Sequence, residues 1–257
     1  MPGVKNLKDS IDKYYESITG LLKRIYEQER SNIERAADVL VKAIKEDRLI
    51  HVFGPGGHSH MAMEELFYRA GGLVPINPIF EPGIMLHHGA IKSTIIERIP
   101  GYCSRILDYY DVREGDPFII ATAYGINSCT IDAALEAKKR GLTVIAVTSP
   151  EFSKSIPPDH PARHPSRKNL YEIADIVIDC KMPFGDAVVE IEGFPQRVAP
   201  SSTILVAFTL NLLVAKTVEK LVKEGVKPPV WMSANIPGGE EYNRQWISRY
   251  KYRIKSL

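Results

Sequence analysis

Apolar residues recur at helical spacing near the start of the chain, at Leu7, Ile11, Tyr14, Tyr15, Ile18, Leu21, Leu22 and Ile25. Ile33, Ala36, Ala37, Leu40, Val41 and Ile44 continue the pattern. Steps of three and four put such side chains on one face, which predicts two helices or one bent helix. That stripe needs a cover, either the rest of the chain or a second subunit. The pattern then changes. Leu49–Phe53, Leu73–Ile76, Pro117–Thr122, Thr143–Thr148 and Asp175–Cys180 are short runs, mostly apolar at consecutive positions. Parallel strands covered on both faces require that kind of run. Helical patterns at Met61–Ala70, Ser128–Arg140 and Leu170–Ala174 separate several of them. Gly141, directly after Lys138, Lys139 and Arg140, is a helix stop with basic residues at the negative end of the dipole. Ser201–Lys223 reads as a further long helix that Ser201 or Ser202 can cap. Strands alternating with helices predict an open α/β sheet with helices on both faces. Pro150–Lys168, rich in proline and basic residues, is predicted as a surface loop. Gly225–Gly239 is irregular and leads a polar, aromatic tail.

Composition narrows the class. The chain has 257 residues, 44% hydrophobic and 25% charged, as ordinary globular proteins do. A formal net charge of +2 is too mild to argue for a nucleic-acid partner. The strongest apolar run, Thr203–Val214, is too short for a membrane span. Met1–Ser10 lacks a secretion pattern. Cys103, Cys129 and Cys180 are odd in number and show no CxxC spacing, so they read as reduced thiols in a cytoplasmic protein.

Candidate chemistry lies where two of the strands end. The first runs through His51-Val52-Phe53 into Gly54-Pro55-Gly56-Gly57-His58-Ser59, and a helix follows. A glycine turn before a helix aims backbone N–H groups and the helix N-terminus at one point, which suits phosphate. The run ending Ala121-Thr122 leads through Ala123-Tyr124-Gly125-Ile126-Asn127 to Ser128, repeating the arrangement. In a doubly wound sheet, two such turns face one crevice. Gly54, Gly56, His58, Ser59, Thr122, Tyr124, Gly125, Asn127 and Ser128 are therefore candidate anion-binding residues. A dinucleotide fold is disfavoured. Gly54-x-Gly56-x-x-Ser59 lacks the third glycine, and Asn77-Pro78 stands where an acid would hold ribose.

Chemistry on a bound anion that moves a proton needs an acid–base group near these turns. Glu64 and Glu65 lie on the helix after the first turn, pointing about 100° apart, so at most one faces the crevice. An ion pair of Glu65 with Arg69 is the competing explanation. His87 and His88 sit in a loop, where function often resides. Thr94-x-x-Glu97 has capping-box spacing, which would account for Glu97 without chemistry. His58 and His60 flank Ser59, but residues two apart on a helix do not share a face, so no metal is expected there. Arg163, His164, Arg167 and Lys168 form a basic cluster that is either solvated or a lid over an anion.

A family resemblance sharpens this reading. Glu114-Gly115-Asp116, the following strand and glycine turn, Ala133-Ala134-Leu135-Glu136-Ala137-Lys138-Lys139-Arg140-Gly141, and the strand ending Thr148-Ser149 resemble the sugar isomerase (SIS) domain family. Closer similarity is to the UPF0309 group of SIS-domain proteins. It rests on Gly57-His58-Ser59-His60, Glu64 to Gly72, Lys92-Ser93-Thr94 with Glu97-Arg98, Gly185-Asp186-Ala187, Ser201-Ser202-Thr203 and Ser233-Ala234-Asn235. The chain is also somewhat similar to phosphoheptose isomerases and N-acetylmuramic acid 6-phosphate etherases. The resemblance implies a three-layer α/β/α sandwich with a five-stranded parallel sheet, flavodoxin-like, plus N-terminal helices. It implies an N-terminal helical extension over residues 1–48, a phosphosugar-binding unit over 49–225 and a C-terminal tail over 226–257. It further implies a cytoplasmic homodimer that binds a phosphorylated sugar or amino sugar without cofactor, membrane or nucleic acid. Ser202 and Thr203 would lie near the sugar. Glu65, Glu97, His87 and His88 are the candidate catalytic residues of an aldose–ketose isomerase. A lyase or etherase using Glu97 and a non-catalytic phosphosugar sensor are the alternatives. Residues 1–48 lack the length and basic face of a DNA-reading domain, which weighs against the sensor. One departure from the family stands out. The usual Ser-x-Ser-Gly of the second turn is Thr122-Ala123-Tyr124-Gly125 here.

Overall fold

A computed structural model describes residues 9–257. Leu7, the first residue of the opening apolar stripe, lies outside them. The stripe forms two helices, α1 (Ser10–Gln28) and α2 (Arg30–Lys45), broken at Glu29. The break has a cause. Glu29 is buried, and its carboxylate meets Lys181 Nζ at 2.6 Å and accepts the Asp179 N–H at 3.2 Å.

Four of the five predicted strands form close to their predicted bounds: β1 (Ile50–Phe53), β3 (Pro117–Ala121), β4 (Thr143–Thr148) and β5 (Ile176–Asp179). The second is displaced. β2 is Ile76–Pro78, paired through Ile50 with Ile76 and Val52 with Pro78. Leu73, read as a strand residue, instead bridges antiparallel to Val230 of the C-terminal tail; its side chain is buried in the main core, and that of Val74 packs in the tail cluster. Pro78 is tolerated because β2 is an edge strand. The sheet is all parallel in the order β2-β1-β3-β4-β5. This is the doubly wound order whose chain direction reverses between β1 and β3.

The helices complete three layers. α1, α2, α3 (Met61–Leu66) and α9 (Ser202–Lys223) cover one face. α5 (Tyr102–Tyr109), α6 (Ser128–Lys139) and α8 (Leu170–Ile173) cover the other. α4 (Ala90–Ile96) follows two single 3-10 turns, Pro82–Ile84 and Leu86–His88. α7 (Pro150–Ser155) begins what reads from sequence as a loop, with Ser149 capping it. β6 (Ala187–Val189) and β7 (Val198–Pro200) form a small antiparallel pair that the hydrophobic pattern does not reveal. α10 (Gly239–Tyr250) sits in the tail, where Trp231, Trp246, Tyr250 and Ile254 bury against Val74. α3 is shorter than the predicted Met61–Ala70, because Phe67 turns extended and packs edge-on against Phe80.

Cys103 and Cys129 are disulfide-bonded, joining α5 to α6, and Cys180 is buried and free. The expectation of reduced thiols fails for that pair, and with it the cysteine argument for a reducing compartment. No helix among the described residues is long and apolar enough to cross a membrane.

Candidate functional site

The first turn is built by close backbone approach. A Cβ on Gly54 would lie 1.9 Å from the Ser59 carbonyl oxygen, so only glycine lets the chain fold back on itself there. That fold swings Ser59 across the end of β1, and its hydroxyl donates to Thr122 Oγ1 at 3.1 Å. Thr122 follows directly on β3. The two strand-end turns therefore meet where the strand order reverses.

The second turn has its carbonyls tied down on one side. Ala123 accepts from the Ser149 N–H at 3.0 Å, Tyr124 from the Ser153 hydroxyl at 2.9 Å, and Gly125 from the Leu170 N–H at 2.9 Å. In a trans peptide the N–H points opposite to the carbonyl, so the amides of this turn face away from β4 and α7. Among the described residues, the backbone N–H groups of His58, Ser59 and Tyr124 have no acceptor. Unpaired amides beside a helix start favour an anion.

A cavity of about 90 Å³ opens between the turns. Of the sequence-predicted residues, His58, Ser59, Glu65, Thr122, Tyr124, Ser202 and Thr203 line it. The Tyr124 ring packs edge-on against Phe152, with centroids 4.8 Å apart, and leaves the cavity open. Gly54 is buried beneath the first turn, and Gly125 and Ser128 are buried beneath the second. Asn127 starts α6 but its side chain caps nothing. His87 and His88 are exposed and outside the cavity lining. Glu65 lines the cavity with its carboxylate already engaged, accepting from Asn211 Nδ2 at 2.8 Å and lying 3.6 Å from Arg69.

Glu97 is placed by a different route from the predicted capping box. α4 begins at Ala90, so Thr94 is inside the helix, bonded to the Ala90 carbonyl at 3.2 Å, and Glu97 ends the helix. The capping explanation for Glu97 therefore fails. Its carbonyl accepts the Cys129 N–H of α6 at 2.9 Å, which anchors it between the two turns. Its carboxylate crosses to the first turn. The position a Gly56 Cβ would take lies 2.7 Å from Glu97 Oε2 and 3.7 Å from Ser59 Oγ. Burial raises the Glu97 pKa to about 7, with Arg98 and the Gly57 N–H offsetting only part of that rise. A carboxyl tuned to neutral pH can both take and return a proton.

A further expectation changes. The start of α9 is not capped by Ser201 or Ser202. The Asp186 carboxylate accepts both of their backbone N–H groups, at 2.9 and 2.7 Å, and both hydroxyls. Asp186 also stands near Tyr124, whose phenol is held above its ordinary pKa by burial first and then by the Asp186 and Glu97 charges. Asp186 is thus a site-shaping residue that sequence reading passed over. The signal available was its place in Gly185-Asp186-Ala187. Two members of the basic cluster are already engaged within the protein. Arg163 spends its guanidinium on the Asn169 side chain and on the Pro157 and Ile156 carbonyls, and His164 pairs with Asp132 at 3.2 Å.

Comparison with known proteins agrees with this architecture. The model of the SIS domain matches residues 13–149. A UPF0309 protein of Geobacillus thermodenitrificans is 42% identical over 96% of this chain and 97% of its own length. One of Thermoanaerobacter pseudethanolicus is 42% identical over 98% of this chain and 100% of its own. Among solved structures, a phosphoheptose isomerase from Francisella tularensis superposes with a TM-score of 0.54 at 14% identity, covering 81% of this chain and 96% of that one. A phosphoheptose isomerase from Neisseria gonorrhoeae gives 0.52 at 12% identity, covering 83% and 97%. At such identities the likeness is one of fold. Parallel sheet, paired turns, family model and full-length relatives converge, and the chain belongs to the SIS-domain family, within its UPF0309 group.

Proposed function

We propose that the cavity between the turns holds the phosphoryl group of a phosphorylated sugar or amino sugar, and that Glu97 moves protons in an aldose–ketose isomerisation. The observation that carries this reading is the meeting of Ser59 and Thr122 beside unpaired amides, next to a carboxyl whose pKa is about 7. No lysine or arginine lines the cavity, so the anion is held by hydroxyls, amides and the α3 start. The reaction balances without a co-reactant. Ionised Glu97 takes the proton from the carbon beside the carbonyl, an enediol forms, and the carboxyl returns the proton to the neighbouring carbon. A second proton passes between the two oxygens. Glu65, held by Asn211 and Arg69, serves to shape the pocket in this scheme. The fold shared with phosphoheptose isomerases supports a sugar phosphate as ligand.

The test is a panel of phosphorylated sugars. A true ligand raises the melting temperature by mass action, and turnover in D2O places solvent deuterium on the product carbon. The Ser59→Ala variant is expected to show a smaller melting shift at the same ligand concentration. If no sugar phosphate shifts the wild type, the binding reading fails. Release of a substituent in place of an isomer moves Glu97 to a lyase or etherase role. The same proposal takes the chain as a homodimer through the outer face of α1, where Ile11 and Tyr15 share an apolar groove with Val189 and Val198. Light scattering that finds a monomer would exclude that contact.

A further inference from the structure

We propose that His60, Glu64 and His87 form a binding site for a zinc-class divalent metal ion. The site does not depend on the phosphosugar reading. His60 immediately precedes α3 and Glu64 lies one turn on, so an i, i+4 spacing puts both on one face. The 3-10 turn Leu86–His88 lies against the first strand-end turn, with Leu86 on Gly57, and this carries His87 over His60. The two imidazole rings are 5.2 Å apart between centroids. One ligand atom from each of the three residues lies within 4.8 Å of the other two.

His60 supplies an independent observation. It is 3% exposed, yet its Nδ1 has no hydrogen-bond partner. Its Nε2 is 3.8 Å from the Glu64 carboxylate, beyond hydrogen-bond reach. Buried imidazole nitrogens are normally paired, and an unpaired one calls for a reason. A metal ion between the three side chains would engage one of the two ring nitrogens, neither of which has a hydrogen-bond partner within the cluster.

Two imidazoles and one carboxylate, with a fourth position open, are a donor set suited to zinc and its neighbours. Tetrahedral bonds of about 2.0–2.2 Å place ligand atoms a little over ~3 Å apart. The present spacing therefore has to close by about 1.5 Å, an adjustment open to Glu64 and His87 because both are exposed. The HxH pair visible in the sequence is not the site. His58 is exposed and lines the cavity, and the second histidine comes from the loop at His87.

The experiment uses full-length, tag-free protein stripped of metal, titrated with Zn2+ by calorimetry and with Co2+ by visible absorption. Saturable binding at one ion per chain is expected, with d–d bands for Co2+. His87→Ala and Glu64→Gln are exposed-side-chain changes, and circular dichroism verifies their folding. Each is expected to weaken binding at least about tenfold, the effect of even a supporting residue at a metal site. His160→Ala, outside the cluster, is expected to bind as wild type does. Absence of saturable binding, or binding that survives both cluster substitutions unchanged, overturns the proposal. Because metal is read directly, a failure to turn over any sugar phosphate leaves this test intact.

Discussion

Ser59 donates a hydrogen bond to Thr122 at 3.1 Å, and this single contact joins the turn after β1 to the end of β3. If the two hydroxyls grip one anion, they act as a unit. Ser59→Ala and Thr122→Ala are each expected to weaken sugar-phosphate binding by about 1 kcal/mol, roughly fivefold. The double variant is expected to lose less than the sum, with a coupling of about 0.5 kcal/mol or more in a calorimetric cycle. Strict additivity would show that the hydroxyls serve separate purposes.

Glu97 gives a stability signature that needs no substrate. Its pKa rises from 4.5 unfolded to about 7 folded because burial disfavours the charge. Between those values the folded chain holds a proton that the unfolded chain has released. The resulting stability is complete below the unfolded pKa and is lost as pH climbs through about 7. Glu97→Gln removes the titration. The variant is therefore expected to exceed wild type by about 3 kcal/mol near pH 8 and to match it near pH 4. Denaturant melts across pH measure this, and a constant difference would refute it. The same variant is expected to lose about 100-fold or more in kcat.

Gly56 leaves the space that Glu97 enters. Its φ of +140° disfavours any side chain, and a Cβ there would press to 2.7 Å of Glu97 Oε2. Gly56→Ala is expected to cost about 1–3 kcal/mol in stability through backbone strain. It is also expected to displace the carboxylate, lowering kcat far more than KM. An unchanged pH–rate profile in this variant would show that Glu97 does not act from that position.

Asp186 holds the first amides of α9 and the hydroxyls of Ser201 and Ser202. Asp186→Ala leaves those donors without an acceptor and is expected to cost about 2 kcal/mol. For a chain of this size that lowers Tm by roughly 4–8 °C. Asp186→Asn keeps an acceptor and is expected to recover much of the loss. Equal melting temperatures for Asp186→Ala and wild type would show that the contact contributes nothing.

Local features were legible wherever a short stretch of chain sets its own environment. β1, β3 and β4 announced themselves because strands covered on both faces are mostly apolar at consecutive positions, and β5 because Ile176, Val177 and Ile178 form a short β-branched run. The glycine turns were visible because backbone approach permits no other residue at Gly54. β2 lies later than the pattern predicts because Leu73 and Val74 are apolar for burial in the main core and the tail cluster, while the backbone of Leu73 bridges Val230, far along the chain.

Thus the residue order by itself determined the alternation of strand and helix, the two phosphate-like turns and the SIS resemblance, all of which depend on neighbours in sequence. Only tertiary packing decided that Glu97 reaches Gly56, that Asp186 caps α9, that Cys103 meets Cys129 and that His87 stands over His60. Those relations join residues from separate elements. Their distance in space is fixed by how helices and loops close over the sheet, which no local spacing records.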